Sequence, residues 1–271
     1  VAPFACYRCP YGYPDLNGEA QLEICKTTCA NFVRYVLEKE GDVAAVIAEP
    51  ARAVPYLPPP GYWKMVRQAC NDYGALLIFD EIPTGLGKTG KMFACEHDEV
   101  VPDILVLGKA LGGGILPIAA VLAKEELDVG GEFAFGHYTH EKNPVTAKAA
   151  LTTIEIIEQE GLVENAAVLG KYMLEKLNLL KAEHPSIGDV RGRGLLIGVD
   201  LVLNQEEKTP ADDLAEDVLY RCLSKGLSFK ITMGNVLTLT PPLIITKTQI
   251  DLSLSIIEES LSEAEEASGL V

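Results

Sequence analysis

Asp103-Ile104-Leu105-Val106-Leu107-Gly108-Lys109-Ala110-Leu111-Gly112-Gly113-Gly114 is an apolar run that closes on a lysine and a cluster of glycines. Consecutive aliphatic residues without polar alternation read as a strand buried on both faces. Lys109 stands where that strand leaves the sheet. A lysine there is costly unless it is paired, neutral or covalently used. Ala75-Leu76-Leu77-Ile78-Phe79 is a second such run, and it too ends in charge, at Asp80-Glu81. Loops at strand ends are where α/β folds gather reactive groups. The two runs therefore predict an acid and a lysine leaving neighbouring strands.

Outward from this pair the pattern repeats. A helix is predicted from Asn17-Gly18 to Gly41, a good C-terminal glycine. Strand Ala44-Ala45-Val46-Ile47-Ala48 follows and ends at Glu49-Pro50. A proline-rich loop leads to a helix carrying Trp63, Met65, Val66 and Ala69. A glycine-rich loop spans 83–92, and Ile118-Ala119-Ala120-Val121-Leu122 makes a further strand. Strands alternating with helices indicate an α/β fold with a mostly parallel sheet covered on both faces. From about Pro144 the character changes. Helices at 144–160 and 163–183 meet at Gly161. Strand 194–201, helix 211–225, short strands near 227–239 and a helix from about 248 complete a smaller α/β domain. The division expected is 1–150 and 151–271.

Composition limits the partners. With 39 acidic against 23 basic residues the net charge is −16, which argues against nucleic acid and anionic membranes. No apolar run reaches membrane-spanning length, and no signal peptide opens the chain. Val1-Ala2-Pro3-Phe4 reads like the middle of a domain, so a fragment is expected. Cys6-x2-Cys9 and Cys25-x3-Cys29 come close to zinc-ligand spacing. Cys25 and Cys29 also fall one turn apart on an apolar helix face with Leu22, Phe32, Val33 and Val36, and are read as core thiols. No metal is expected. The odd total of seven cysteines and the missing secretion signal favour a reducing cytoplasm.

Two glycine motifs fail on context. Gly85-Leu86-Gly87-Lys88-Thr89-Gly90 matches a dinucleotide fingerprint by letter and contains the Gly-Lys-Thr of a phosphate loop. The fingerprint must open a helix directly after a strand, and here Asp80-Glu81-Ile82-Pro83 intervene. The phosphate loop needs a glycine where Ile82 stands. The acid–lysine pair carries more. Pyridoxal phosphate (PLP) needs a lysine to form an imine with its aldehyde. It also needs an acid to keep its ring nitrogen protonated, which makes the ring an electron sink. Taken alone, Asp80 could cap a turn and Lys109 could be solvated.

The surrounding residues narrow this. Leu77 to Gly90, Pro102-Asp103-Ile104, and Gly108-Lys109-Ala110-Leu111-Gly112-Gly113-Gly114-Ile115-Leu116-Pro117 closely resemble the signature of class III aminotransferases. Ala45-Val46-Ile47-Ala48-Glu49-Pro50, Thr139-x-x-x-Asn143-Pro144 and Arg193-Gly194-Leu195-Leu196-Ile197-Gly198-Val199 match in the expected order. The resemblance implies a PLP-dependent enzyme of fold type I. Residues 1–150 would be the C-terminal part of its large PLP-binding domain, and residues 151–271 its small domain. It implies that Lys109 holds the internal aldimine and shuttles protons. Asp80 would pair with the pyridinium, Ile82 would lie near the ring face, and Glu49 would be a supporting acid. Thr139 would donate its hydroxyl to the cofactor phosphate of the other subunit of a homodimer. The family's N-terminal segment, with its phosphate loop and ring-stacking aromatic, has no match here, so the chain is expected to be a C-terminal portion that binds PLP poorly alone.

Three departures bear on the reaction. The family's Asp-Glu-Val-Gln becomes Asp80-Glu81-Ile82-Pro83, which loses the glutamine's side-chain donor. Glu-Pro-x-x-Gly-Glu-Gly-Gly becomes Glu49-Pro50-Ala51-Arg52-Ala53-Val54-Pro55-Tyr56, which loses the second glutamate. The arginine before Pro-Pro-Leu, which binds the keto-acid carboxylate in many relatives, becomes Thr238. Threonine cannot replace a bidentate guanidinium. Because most of the family transaminates, the resemblance still implies an aminotransferase acting on an amine or amino acid. The alternative is a lyase on a phosphorylated or phosphonate amine, or a racemase, of the same family. Arg52 and Arg193 are possible anion contacts, with surface or helix-end roles as the competing reading.

Overall fold

The structure, a computed structural model, describes residues 4–15, 19–133, 139 and 143–270. Two compact units divide it. The first holds Val1–Ala51, Pro58–Gly87 and Lys91–Leu162; the second holds Arg52–Leu57, Lys88–Gly90 and Val163–Val271. Val1-Ala2-Pro3 and the Asn17-Gly18 helix start lie outside the described residues.

The first unit opens with α1 (Glu19–Cys25) and α2 (Thr28–Glu40). The single helix expected over this stretch is therefore two. Lys26 and Thr27 take left-handed φ values of 45° and 50°. The Thr28 hydroxyl donates to the Cys25 carbonyl at 2.6 Å, the acceptor that a continuing helix would need, so the side chain competes with the helical ladder. Cys25 and Cys29 consequently sit on different helices. Together with Cys6 and Cys9 they line a cavity of about 20 Å³. α2 ends at Gly41 as the sequence predicts, with φ 73° and its N–H on the Leu37 carbonyl.

Strands β1 (Ala45–Ala48), β2 (Leu76–Asp80), β3 (Ile104–Leu107) and β4 (Ala120–Ala123) form one sheet in that order. The first three are parallel and β4 is antiparallel to β3. Helix α3 (Tyr62–Tyr73) connects β1 to β2. Tyr62, Trp63, Val66, Ala69 and Cys70 are its buried residues, the i, i+4, i+7 spacing of one helical face. Trp63 meets Phe79 of β2 edge-on at 4.7 Å, and its indole N–H donates to the Pro50 carbonyl at 2.8 Å. One side chain thus ties α3 to β2 and to the chain leaving β1. The expected cover on both sheet faces is incomplete, since Ile47 of β1 and Val121 of β4 are 66% and 68% exposed. Helix α4 (Pro144–Gln159) closes the unit behind an Asn143 cap, whose side chain accepts from the Val145 N–H.

The second unit contains most of α5 (Leu162–Glu183), then β5 (Ile187–Arg193), β6 (Leu196–Asn204), β7 (Thr209–Pro210), α6 (Asp212–Ser224), β8 (Lys230–Thr232), β9 (Val236–Leu239) and α7 (Lys247–Ser268). Its sheet runs β5-β6-β9-β8, antiparallel throughout, with β7 on β6. Ile197, Val199 and Leu201 of β6 join Leu177, Val218, Ile257 and Leu261 of the three helices in the core. The alternate face of β6 packs on 52–57: a side chain on Gly198 would come within 3.0 Å of Pro55. β5 is absent from the sequence reading. Its Asp-Val-Arg-Gly-Arg run lacks an apolar signal, and it is a strand because it pairs with the strongly apolar β6.

Asp103 is the polar anchor of the first sheet. Its carboxylate accepts from the Leu77 N–H at 2.7 Å and pairs with Arg67 and Lys124 at 2.6 Å each. Burial by itself raises the Asp103 carboxyl, but the Leu77 N–H, Lys124 and Arg67 outweigh it and hold it at about 2. A carboxyl depressed by folding stabilises the chain above its unfolded pKa and loses that contribution as pH falls. The stability advantage of the parent over Asp103→Asn is expected to be full above about pH 4 and to close on descent toward pH 2, read from urea midpoints at each pH. An advantage that stayed constant through that window would remove the ionised carboxylate as its source.

Candidate functional site

The parallel pairing sets the edge. Asp80 is the register partner of Val106, and the Glu81 N–H extends the ladder by donating to the Val106 carbonyl at 2.9 Å. Lys109 lies three residues beyond Val106, so Asp80 and Lys109 leave adjacent strands at the same carboxyl edge. Asp80 is half-buried, and its Oδ1 accepts from the Ile82 N–H at 3.0 Å. Ile82 packs against Gly108: a side chain there would sit 3.4 Å from its Cγ2. That brings Ile82 beside the base of Lys109. Ala48 pairs with Phe79, so Glu49, half-buried, leaves β1 next to the residue that precedes Asp80.

Lys109 itself is exposed. It opens a short 3-10 turn, Lys109–Gly112, and has φ 46°. A left-handed conformation is costly for a residue with a side chain, and such strain gathers at functional positions. Thr139 is exposed in a turn. The residues flanking it lie outside the described ones, and among the described residues no hydrogen bond or ion pair joins it to the Asp80–Lys109 edge.

Glu81 holds this edge rigid, a role missed in the sequence. It is 1% exposed. Its carboxylate accepts from the Ala94 and Cys95 N–H groups at 2.7 and 2.8 Å and from the Thr84 hydroxyl at 3.0 Å. Burial raises its carboxyl above the ordinary range, with those donors working against the rise. Glu81 thereby pins the ends of the glycine-rich loop to the end of β2. The signal was its place beside Asp80, but nothing in the spacing announces N–H donors thirteen and fourteen residues away.

In the second unit the charges behave differently. Arg191 pairs with Asp189 at 2.6 Å and Asp200 at 3.0 Å, donates to the Pro55 carbonyl, and lies 4.1 Å from the Tyr56 ring. Its charge is consumed by structure. Thr238, at the position of the family's arginine, is buried, and its hydroxyl bonds that of Thr232 at 2.7 Å. Lys88, the lysine of the rejected phosphate-loop motif, donates to the Pro241 carbonyl at 2.7 Å. Burial pushes its amine down to about 8. Arg193 ends β5, half-buried.

Residues 3–261 match the family model "Aminotransferase class-III". The chain belongs to the class III aminotransferase family. It is 44% identical over 248 residues to an (R)-1-hydroxy-2-aminoethylphosphonate ammonia-lyase from Vibrio splendidus, covering 91% of this chain and 52% of that protein. A leucine/methionine racemase from Thermococcus litoralis is 42% identical, with 96% of this chain and 58% of that protein covered. The fold superposes on a Bacillus anthracis aminotransferase with a TM-score of 0.88 and 35% identity, over 97% of this chain and 61% of that one. The chain thus spans a little over half the length of these relatives.

Two substitutions separate the anchor from the strained residue. Glu81→Leu leaves two buried N–H groups without an acceptor and is expected to lower the unfolding free energy by about 2–3 kcal/mol in urea. Lys109→Gly removes a left-handed side chain and is expected to raise it by about 1 kcal/mol in the cofactor-free protein. A destabilised Lys109→Gly protein would mean that the backbone there carries no strain.

Proposed function

We propose that this chain is the lysine-bearing portion of a PLP-dependent aminotransferase that acts on an amine or amino acid. One observation carries the reading: Asp80 and Lys109 leave adjacent parallel strands at one edge. This donor set fits PLP. The exposed Lys109 amine is accessible to an aldehyde, and Asp80 keeps one carboxylate oxygen clear of its contact to Ile82. Bound PLP supplies an electron-accepting ring that disperses the charge left when an α-proton is removed.

The residues divide the work. Lys109 Nζ would hold the cofactor and would serve as the base that takes the α-proton. Asp80 would favour the protonated ring nitrogen through its carboxylate. Ile82 would offer an apolar surface to the cofactor ring and keep water from it. Glu49 steadies the edge from the neighbouring strand. Thr139 serves the phosphate of the other subunit, which makes the enzyme a homodimer with shared sites. Residues 1–150 belong to the cofactor-binding domain and residues 151–271 form the small domain, in a cytoplasmic protein. Among the described residues no helix is long and apolar enough to cross a membrane.

A second outcome is favoured by Thr238. Its hydroxyl is committed to Thr232, so no guanidinium stands there for a keto acid. The lyase and racemase relatives agree with chemistry in which no amino group is exchanged: elimination from a phosphonate or phosphorylated amine, or racemisation.

The PLP-loaded enzyme is offered amines with and without a keto acid. Keto-acid-dependent transfer of the amino group identifies an aminotransferase. Ammonia or phosphate released without keto acid identifies a lyase, and loss of optical activity alone identifies a racemase. Lys109→Ala is expected to lower turnover by about 10²–10⁴-fold or more and to abolish the covalent cofactor absorbance. An unchanged absorbance in Lys109→Ala would sink the proposal.

A further inference from the structure

We infer that Cys6 and Cys29 are a reversible disulfide pair, closed by a low-molecular-weight disulfide such as oxidised glutathione. Cys6, Cys9, Cys25 and Cys29 stand as thiols, and the chemistry proposed above uses none of them. The four line one cavity of about 20 Å³ within the first unit, room for about one water. The segment that carries Cys6 is laid along α2 on both sides of Cys29. The Tyr13 hydroxyl lies 3.0 Å from that of Thr28, the residue before Cys29. The Tyr11 ring meets Phe32, three residues after Cys29, edge-on at 6.3 Å. At the other end of the segment, buried Phe4 packs edge-on against Tyr62 and Trp63 of α3 at 5.1 and 6.0 Å. The loop that a Cys6–Cys29 bond would close is thus already closed by packing, and the bond has little closure entropy left to overcome.

Cys6 opens a 3-10 turn, Cys6–Arg8, and Cys29 lies in the first turn of α2. Both are half-buried, whereas Cys25 is buried. Burial pushes the Cys29 thiol up to about 11 against the Ala30 N–H, and the sulfurs of Cys6 and then Cys25 add to the rise. Of the thiols around the cavity, Cys6 therefore bears on Cys29 most strongly. The thiolate is the attacking form, so Cys29, held protonated, reacts second. The Cys6 thiolate attacks one sulfur of oxidised glutathione, forming a mixed disulfide and releasing one glutathione. Cys29 then gives up its proton and attacks the Cys6 sulfur. The bond to glutathione breaks, and the second glutathione leaves. Two protein thiols lose two electrons and two protons, and one glutathione disulfide takes them up as two thiols. In a reducing compartment the pair stays open, and it closes when oxidised glutathione accumulates.

The test is peptide mapping of the full chain, incubated folded with reduced or with oxidised glutathione. Remaining thiols are blocked with N-ethylmaleimide before trypsin is added. Cleavage after Arg8, Lys26 and Arg34 puts Cys6, then Cys9 with Cys25, then Cys29 on three separate peptides. The expected product of oxidation joins the peptide ending at Arg8 to Thr27–Arg34, and dithiothreitol dissolves it. Cys9→Ser keeps this product, while Cys6→Ser and Cys29→Ser abolish it. The oxidised parent is expected to unfold at a higher urea midpoint than the reduced parent, and Cys6→Ser to lose that difference. If a serine variant fails to fold, the map of the parent decides alone. Cys29 recovered blocked by the maleimide or capped by glutathione after oxidation overturns the inference. A link through the Cys9–Lys26 peptide in place of the Cys6 peptide overturns it as well.

Discussion

Asp80 faces Val106 across two parallel strands, and the first unit is organised around keeping that register. A slip of one residue would send every side chain of the slipped strand to the opposite face of the sheet. It would bury the Asp80 carboxylate or strand it on the wrong side. Asp103 guards the register from the amino end of β3, by accepting the Leu77 N–H and holding Arg67 and Lys124. Glu81 guards it from the carboxyl end. The apolar side chains between these two acids make the strands cohere, and the acids fix where along each other they sit.

The second unit spends its charges inward. Asp200, fully buried, accepts from Asn235 at 2.7 Å and meets Arg191. A buried carboxylate without such partners would cost far more than the sheet could return. His184, Ser186 and Glu265 form a second closed network, with His184 Nδ1 at 2.7 Å from Glu265.

What could be read in advance followed from local pattern. The three parallel strands were legible because each is a short unbroken apolar run. Helix α3 was legible from its buried spacing, and Gly41 and Gly161 from the turns they mark. The Asp80–Lys109 edge followed directly from where the apolar runs stop. The break at Lys26-Thr27 was hidden, since it depends on one hydroxyl outcompeting one helical N–H. β5 was hidden because its strand character belongs to its partner. The role of Glu81 was hidden because its acceptors are engaged by a loop that must first fold back. Local sequence carries elements and edges; contacts made across a loop have to be seen.

The exposed apolar residues of the first sheet have a consequence for how copies of this chain behave in concentrated solution. Ile47 and Val121 lie on β1 and β4, which are the two edge strands. Edges with unpaired backbone groups and apolar side chains invite other strands. What opposes this is the long-range repulsion of a net charge of −16, which reaches only about 8 Å at physiological ionic strength. Salt therefore weakens one of the forces that keep the exposed β1 and β4 of separate copies apart.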